Sequence, residues 1–328
     1  MEPYPQYNIS VLEPVNWAMS WTKRMLFKPF ELEKWFVLGF SAWLSILGES
    51  GGKGGGGEES SGEWKGGGPE VIEPVKEFFH SNMTWLVPVI ILGVLLSIVI
   101  GIVILWLRCR GKFMFLYCVA RNVAEVRGPW SFYKQQGNSL FGFSLVLGFC
   151  TFLAMAPFVG AIIFFAIAAK KTGFEAPGIV MIAFAGLAAF AIGITGFLIS
   201  KLTEDFVVPI MYLRQNKIRE AWREFLHLLK GYSGKFVLYF LFQIVMFIAI
   251  FTLIVLVVLA TCCTAACILI IPYIRAVLLL PVLVFTRSYS AFYLAQFGPE
   301  YNVFMAHIQQ SAEPDEPSFY PPGKSEPY

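Results

Sequence analysis

Residues 85–107 carry no charge at all, and across residues 236–286 the only charged side chain is Arg275. A run of that kind has one natural solvent. Inside hydrocarbon every backbone N–H and C=O must be satisfied within the chain, so the segment is a helix, and about 20 apolar residues make one crossing. Residues 140–169 supply a second such run, long enough to tilt, with Pro157 as a kink. Residues 177–200 supply a third. The stretch 236–286 is too long for one crossing and fits two helices that turn near 260–266. Residues 35–47 are short for a crossing; extended from Leu32, or read as re-entrant, they count as the first of six. Composition agrees, with 57% hydrophobic and 14% charged residues, where a soluble domain carries about 25% charge. The expected fold is all-α: a polytopic membrane helical bundle of six transmembrane helices.

The charges between the runs set the threading. Residues 1–34 carry Lys23, Arg24, Lys28 and Lys34. Residues 108–139 carry Arg108, Arg110, Lys112, Arg121, Arg127 and Lys134 against Glu125 alone, and residues 201–235 are again rich in Lys and Arg. The alternate connections differ: the glycine-rich one after residue 47 has seven glutamates and three lysines, and the next is the short KKTGFE. Basic loops stay in the cytoplasm. Six crossings with both termini inside satisfy every long loop, whereas five would put the C-terminus outside. The expected organisation is a cytoplasmic amphipathic segment at 1–34, a transmembrane domain at 35–304 with an external glycine-rich loop at 48–70, and a disordered Pro-rich acidic tail at 305–328.

An internal repeat is visible. Residues 111–143 align with 204–236, so that Phe113 matches Phe206, Arg121 matches Arg214, and Trp130 matches Trp222 after a one-residue gap. A degenerate third copy, FTRSYSAFYLAQFGPEYNVF, occupies 285–304. The plan is three helical hairpins, each followed by a cytoplasmic amphipathic segment. Ile218, Trp222, Phe225 and Leu229 fall on one helical face, with Arg219, Glu220, Arg223 and Glu224 elsewhere; Leu12, Val15, Met19, Leu26 and Phe30 make a similar stripe. Such a face lies in the headgroup zone beside anionic lipid or packs on other helices of the chain. Arg121, Trp130, Arg214 and Trp222 are the interfacial candidates.

LFKPFELEKWFVLGFSAWL followed by a glycine-rich loop, GKFMFLYCVARN with PWSFYKQQGNSLF, and EDFVVPIMY resemble an uncharacterised prokaryotic multi-spanning membrane-protein family, a domain of unknown function, over most of 9–300. There is a fainter similarity to the membrane domain of some glycerophosphodiester phosphodiesterases, without their catalytic domain. The resemblance implies a prokaryotic cytoplasmic membrane and carries no site residues.

Candidate chemistry is sparse. The glycines around Lys53 and Lys65 lack the G-x-x-x-x-G-K-[ST] spacing and the preceding strand of a phosphate-binding loop, and their glutamates repel phosphate; they read as a flexible connection. Arg275, between Pro272 and Pro281, is the residue of sharpest functional interest, since an ionisable group in a membrane is costly and often lines a pathway. It also has the reach to snorkel to headgroups or to pair with Glu204 or Asp205. Cys262, Cys263 and Cys267 fall short of the four ligands of a closed zinc site, and His80, His227 and His307 lie in other segments. Cys109 and Cys118 sit where acylation occurs, or pack as small hydrophobes. Gly93, Ser97 and Gly101 recur every fourth residue, the spacing of a close helix–helix contact. A lipid-modifying enzyme would need polar groups at the cytoplasmic interface, where Glu204, Asp205 and His227 are available. No cofactor or metal is expected.

The functional expectation is a non-catalytic structural or accessory membrane protein. It would organise anionic membrane lipid or a membrane-protein partner, as a monomer or homo-oligomer, and would not bind nucleic acid. The alternative is a small-molecule transporter or channel with a site near Arg275.

Overall fold

The computed structural model of the chain describes residues 9–48, 83–172, 176–261 and 271–304. The described residues are helical with no strand. Short helices α1 (Glu13–Phe27) and α2 (Leu32–Ser45) precede the long α3 (Met83–Arg121). Then follow α4 (Arg127–Phe132), α5 (Lys134–Thr172) and α6 (Ala176–Leu202). A π-helical turn, Thr203–Val207, leads into α7 (Val208–Arg214), α8 (Ile218–Gly231) and α9 (Ser233–Ala260). The last are α10 (Pro272–Leu278), α11 (Leu280–Ala295) and a 3-10 turn at Pro299–Tyr301.

Among the described residues four stretches are long and apolar enough to cross a membrane: Val87–Arg121, Lys134–Ala168, Gly178–Arg214 and Ser233–Ala260. The α10–α11 pair, bent by 65°, makes a fifth if it counts as one span. By length and composition the described residues thus supply four or five of the six expected spans. The difference is α2, whose 14 residues rise only about 21 Å against a hydrocarbon core of about 30 Å. It runs antiparallel to the polar end of α3 instead. Lys34 Nζ donates to Asn122 Oδ1 at 2.9 Å, Leu44 meets Gly111, and Gly48 comes beside Ile104. At Gly111 a Cβ would sit 2.7 Å from the Leu44 backbone carbon, so only glycine lets the two helices approach this closely.

The packing is concentrated at one end. The most apolar stretches of α3, α5 and α9 bury none of their residues against protein, and that of α6 buries few. Leu92, Phe149, Phe190 and Phe247 stand out from them, each more than half exposed. Beyond those stretches a dense aromatic layer forms. Phe206 stacks on Phe225 at 5.4 Å and meets Phe236 edge-on at 5.1 Å and Tyr239 at 4.9 Å. Tyr239 stacks on Tyr289 at 5.6 Å, and Phe236 on Phe297 at 5.0 Å. Each ring fully removed from water contributes about 1.5–3 kcal/mol, so this layer holds the lower ends of α9, α11 and the α6–α8 segment together.

Residues 9–34 are part of this layer rather than a detached segment. Pro14, Ala18, Trp21 and Met25 bury one face of α1 against α11. Trp21 Nε1 donates to the Val119 carbonyl at 3.0 Å, and Ser10 and Gln296 exchange two hydrogen bonds, at 2.8 and 2.9 Å. The stripe expected from Leu12, Val15, Met19, Leu26 and Phe30 is split. Leu26 is buried, while Leu12, Met19 and Phe30 face outward. On α8, Ile218, Ala221, Phe225 and Leu228 pack on the protein, so that face is occupied by other helices of the chain.

Candidate functional site

The π-helical turn explains the one strongly polar place in the fold. In a regular helix the Val208 N–H would bond to the Glu204 carbonyl; here it bonds to Thr203 instead. The next residue, Pro209, has no N–H to offer. The Glu204 carbonyl is thus left without a backbone donor, and a buried carbonyl must find one. Arg287 of α11 supplies it, donating from Nη1 at 2.6 Å. The widened turn also aims two successive carboxylates at different helices. Glu204 Oε2 pairs with Lys112 Nζ of α3 at 2.5 Å. Asp205, nearly buried, accepts from Lys201 Nζ at 3.1 Å, from Tyr239 Oη at 3.1 Å and from Gln243 Nε2 at 3.3 Å. The two carboxylates tie α3, α6 and α9 together, and the Glu204 carbonyl adds α11 through Arg287.

Two cavities adjoin this cluster. A small one of about 70 Å³ lies between Ser45, Thr286, Arg287, Lys112 and Asp205. It is roomy enough for water, and Arg287 Nη2 has no protein partner among the described residues. The larger one, about 560 Å³, opens between α3, α5 and α6. Arg108, Lys112, Lys201 and Glu204, with Ser144, Ser200 and Thr203, line one end; Leu105, Leu147, Phe152, Met155 and Phe197 line the rest. Lys112, Lys201 and Glu204 line both cavities.

The residues singled out from the sequence are not gathered at this cluster. Arg275, half-exposed, sits on α10, which packs against α2: Tyr273 stacks near Phe36 at 6.4 Å, and Val277 meets Gly39. It lines neither cavity. Gly93 and Gly101 have nothing within 4 Å of an added Cβ, and Ser97 is exposed, so among the described residues that face of α3 meets no neighbour. Of the interfacial four, Arg121, Trp130 and Trp222 are half-exposed and Arg214 is exposed, and all lie among aromatics and cations. Arg110 Cζ lies 4.3 Å over Trp106 and 5.0 Å over Trp130. Arg121 covers Tyr117 at 4.9 Å. Arg214 pairs with Glu224 at 3.0 Å and lies 5.8 Å over Tyr301, whose hydroxyl is pushed up to about 12 by burial and by Glu224. Trp222 packs on Phe225 at 5.6 Å and Phe143 at 6.0 Å.

Cys109 and Cys118 are buried, which favours packing over acylation. His227 is exposed on α8, and among the described residues no three His, Cys, Asp or Glu side chains are placed to hold a metal. His80, Cys262, Cys263, Cys267, the glycine-rich loop beyond Gly48 and the tail 305–328 lie outside the described residues.

Arg108, Lys112, Lys201, Arg287, Tyr239 and Gln243 went unremarked as a site. Their signal was present in the alignment of the repeats, where Lys112 and Asp205 occupy equivalent positions just before the matched Phe113 and Phe206.

The model of a family of unknown function, DUF7544, matches residues 9–274. The chain belongs to that family. No curated protein and no solved structure matches it, and the similarity to the phosphodiesterase membrane domain finds no support. The DUF7544 match stops short of α11, although Arg287, Tyr289 and Tyr293 of that helix complete the packed layer.

Proposed function

We propose that this DUF7544 protein is a non-catalytic accessory protein of a prokaryotic cytoplasmic membrane that organises anionic lipid around itself. The observation that carries this reading is its polarity from end to end. Bare apolar helices stand at one end. At the other, a packed aromatic layer uses its buried carboxylates as fasteners and turns cations and aromatic rings outward. A shallow groove of about 370 Å³ between Phe143, Ile218, Arg219, Trp222, Arg223 and Leu226 is of this outward kind. So are the exposed Leu12, Met19, Phe27 and Phe30 beside Lys23 and Lys28. Interfacial cations of this sort attract anionic headgroups by about 1 kcal/mol each.

By the basic loops that layer, which holds α1 together with the C-terminal end of α11, lies on the cytoplasmic side. The repeated-hairpin plan is supported by local geometry: Phe113 and Phe206 are both fully buried. Arg121 and Arg214 each end a helix and are followed by a left-handed residue, Asn122 at φ 55° and Gln215 at φ 54°.

Extraction into polymer-bounded native discs tests the proposal. The lipid retained around the protein should be enriched in anionic species over the bulk membrane, and Arg219→Glu with Arg223→Glu should cut that enrichment. A retained composition equal to bulk in both proteins would overturn the reading. The 65° bend beside Arg275 is the feature that keeps a transporter as the second reading. Labelling of Arg275→Cys by an impermeant maleimide, with Ile270→Cys and Leu280→Cys silent, would promote it; silence at all three would remove it.

A further inference from the structure

We propose that the small polar cavity between α2, α3, α6 and α11 binds one small inorganic anion of chloride size, held by Arg287 with Lys112 and Lys201. The site goes beyond the lipid-organising reading and does not rest on it.

Three observations converge. The first is the charge sum. Lys112, Lys201 and Arg287 line the cavity together with Glu204 and Asp205, three cations to two carboxylates. Lys112 is spent on Glu204 and Lys201 on Asp205. Arg287 is the surplus: it donates to the neutral Glu204 carbonyl and forms no ion pair among the described residues. It is only 8% exposed, and a charge so far from water is costly until a counter-charge reaches it.

The second is the supply of donors. Arg287 Nη2 has no protein partner among the described residues. Each lysine ammonium carries three donors, of which the carboxylates take one apiece. The two hydroxyls at the cavity already donate elsewhere, Ser45 Oγ to the Ala42 carbonyl at 2.7 Å and Thr286 Oγ1 to the Val282 carbonyl at 2.9 Å. The wall therefore offers N–H donors in excess, which suits an occupant that accepts and does not donate. The third is size. The cavity holds about 70 Å³, where one water needs roughly 10–15 Å³, and chloride is little larger than water. A phospholipid headgroup is too large for it, and a metal cation is repelled by the charge. Ile46, Phe115 and Leu283 line the remaining wall, which keeps the local dielectric low and the attraction strong.

Binding is read on the full chain in lipid discs, with chloride replacing gluconate at fixed ionic strength so that screening stays constant. Equilibrium dialysis with radiolabelled chloride should saturate at one ion per chain. The thermal midpoint should rise with the logarithm of chloride once the site fills, and bromide should act as chloride does. Two substitutions then move the affinity in opposite directions. Arg287→Gln removes the surplus charge and should weaken chloride by about tenfold or more. Asp205→Asn leaves Lys201 unpaired beside the cavity and should tighten chloride by about threefold or more, although both variants lower the midpoint in gluconate. Should Arg287→Gln fail to fold, Asp205→Asn still decides.

Absence of saturable chloride in the parent, or a midpoint identical in chloride and gluconate, overturns the proposal and leaves water in the cavity. So does a weakening in Asp205→Asn like that in Arg287→Gln, since both changes would then act through damage to the fold. Affinity unchanged in both variants would put the ion elsewhere on the chain and overturns it as well.

Discussion

Arg287→Met is the most informative single change to the fold, because the structure says why that arginine is needed. Its Nη1 caps the Glu204 carbonyl at 2.6 Å, which Pro209 and the Val208–Thr203 bond leave without a backbone donor. A charged donor to a carbonyl contributes about 1.5–3 kcal/mol, and its loss leaves a buried acceptor unpaired. Against that, methionine removes a guanidinium that is only 8% exposed and has one nitrogen unpartnered, which offsets part of the loss. The net expected cost is about 2 kcal/mol. For a chain of this size that lowers an apparent midpoint by about 3 °C, measured at fixed scan rate in lipid discs because unfolding is irreversible for many such proteins.

The second half of the prediction concerns Pro209. Pro209→Ala restores an N–H that can reach the Glu204 carbonyl across the widened turn. In the Arg287→Met background it should therefore recover about 1 kcal/mol, while alone it should change little. Two outcomes would refute the reasoning: Arg287→Met as stable as the parent, or the two changes adding within about 0.3 kcal/mol, the behaviour of independent sites.

Other changes have equally definite consequences. Asp205→Ala strips three donors of their acceptor and should cost about 3 kcal/mol; Lys201 is partly exposed and its share is discounted accordingly. Asp205→Asn, which keeps an acceptor, should cost about half as much in the same melting assay. Gly39→Leu drives a side chain into Val277, whose Cγ2 would lie 2.5 Å from the new Cβ. It should destabilise by about 1–3 kcal/mol, and Val277→Ala should return much of that. The Tyr301 hydroxyl keeps its proton up to about 12 in the folded chain, whereas an unfolded phenol loses it near 10. The stability it contributes is present below pH ~10 and is lost as pH rises toward 12, and Tyr301→Phe should flatten that limb of the pH–stability curve.

The helical class of the fold was legible because hydrocarbon leaves a backbone so few options: residues 85–107, 140–169 and 177–200 all lie within helices that the structure shows. Length was read less well at 35–47, where an apolar run too short to cross packs against the polar end of α3 instead. Hydropathy cannot separate the two outcomes, since a buried core helix and a half-span have the same composition. The polar cluster was hidden for a different reason. Lys112, Lys201 and Arg287 look like ordinary loop cations until a π-helical turn, set up by Pro209, points Glu204 and Asp205 at them. Arg275, conspicuous in sequence as a lone charge between two prolines, lines neither the cleft nor the small polar cavity.

The central claim is that the packed, cation-bearing layer lies on one side of a membrane and the apolar helices cross it. Single cysteines decide it most directly. With the six native cysteines replaced, Arg127→Cys, Arg219→Cys and Lys171→Cys would each be probed with an impermeant maleimide in intact cells and in inverted vesicles. The account predicts that 127 and 219 label only in inverted vesicles and 171 only in intact cells. Labelling of 127 and 219 from opposite sides, or of 171 from the same side as both, would contradict it.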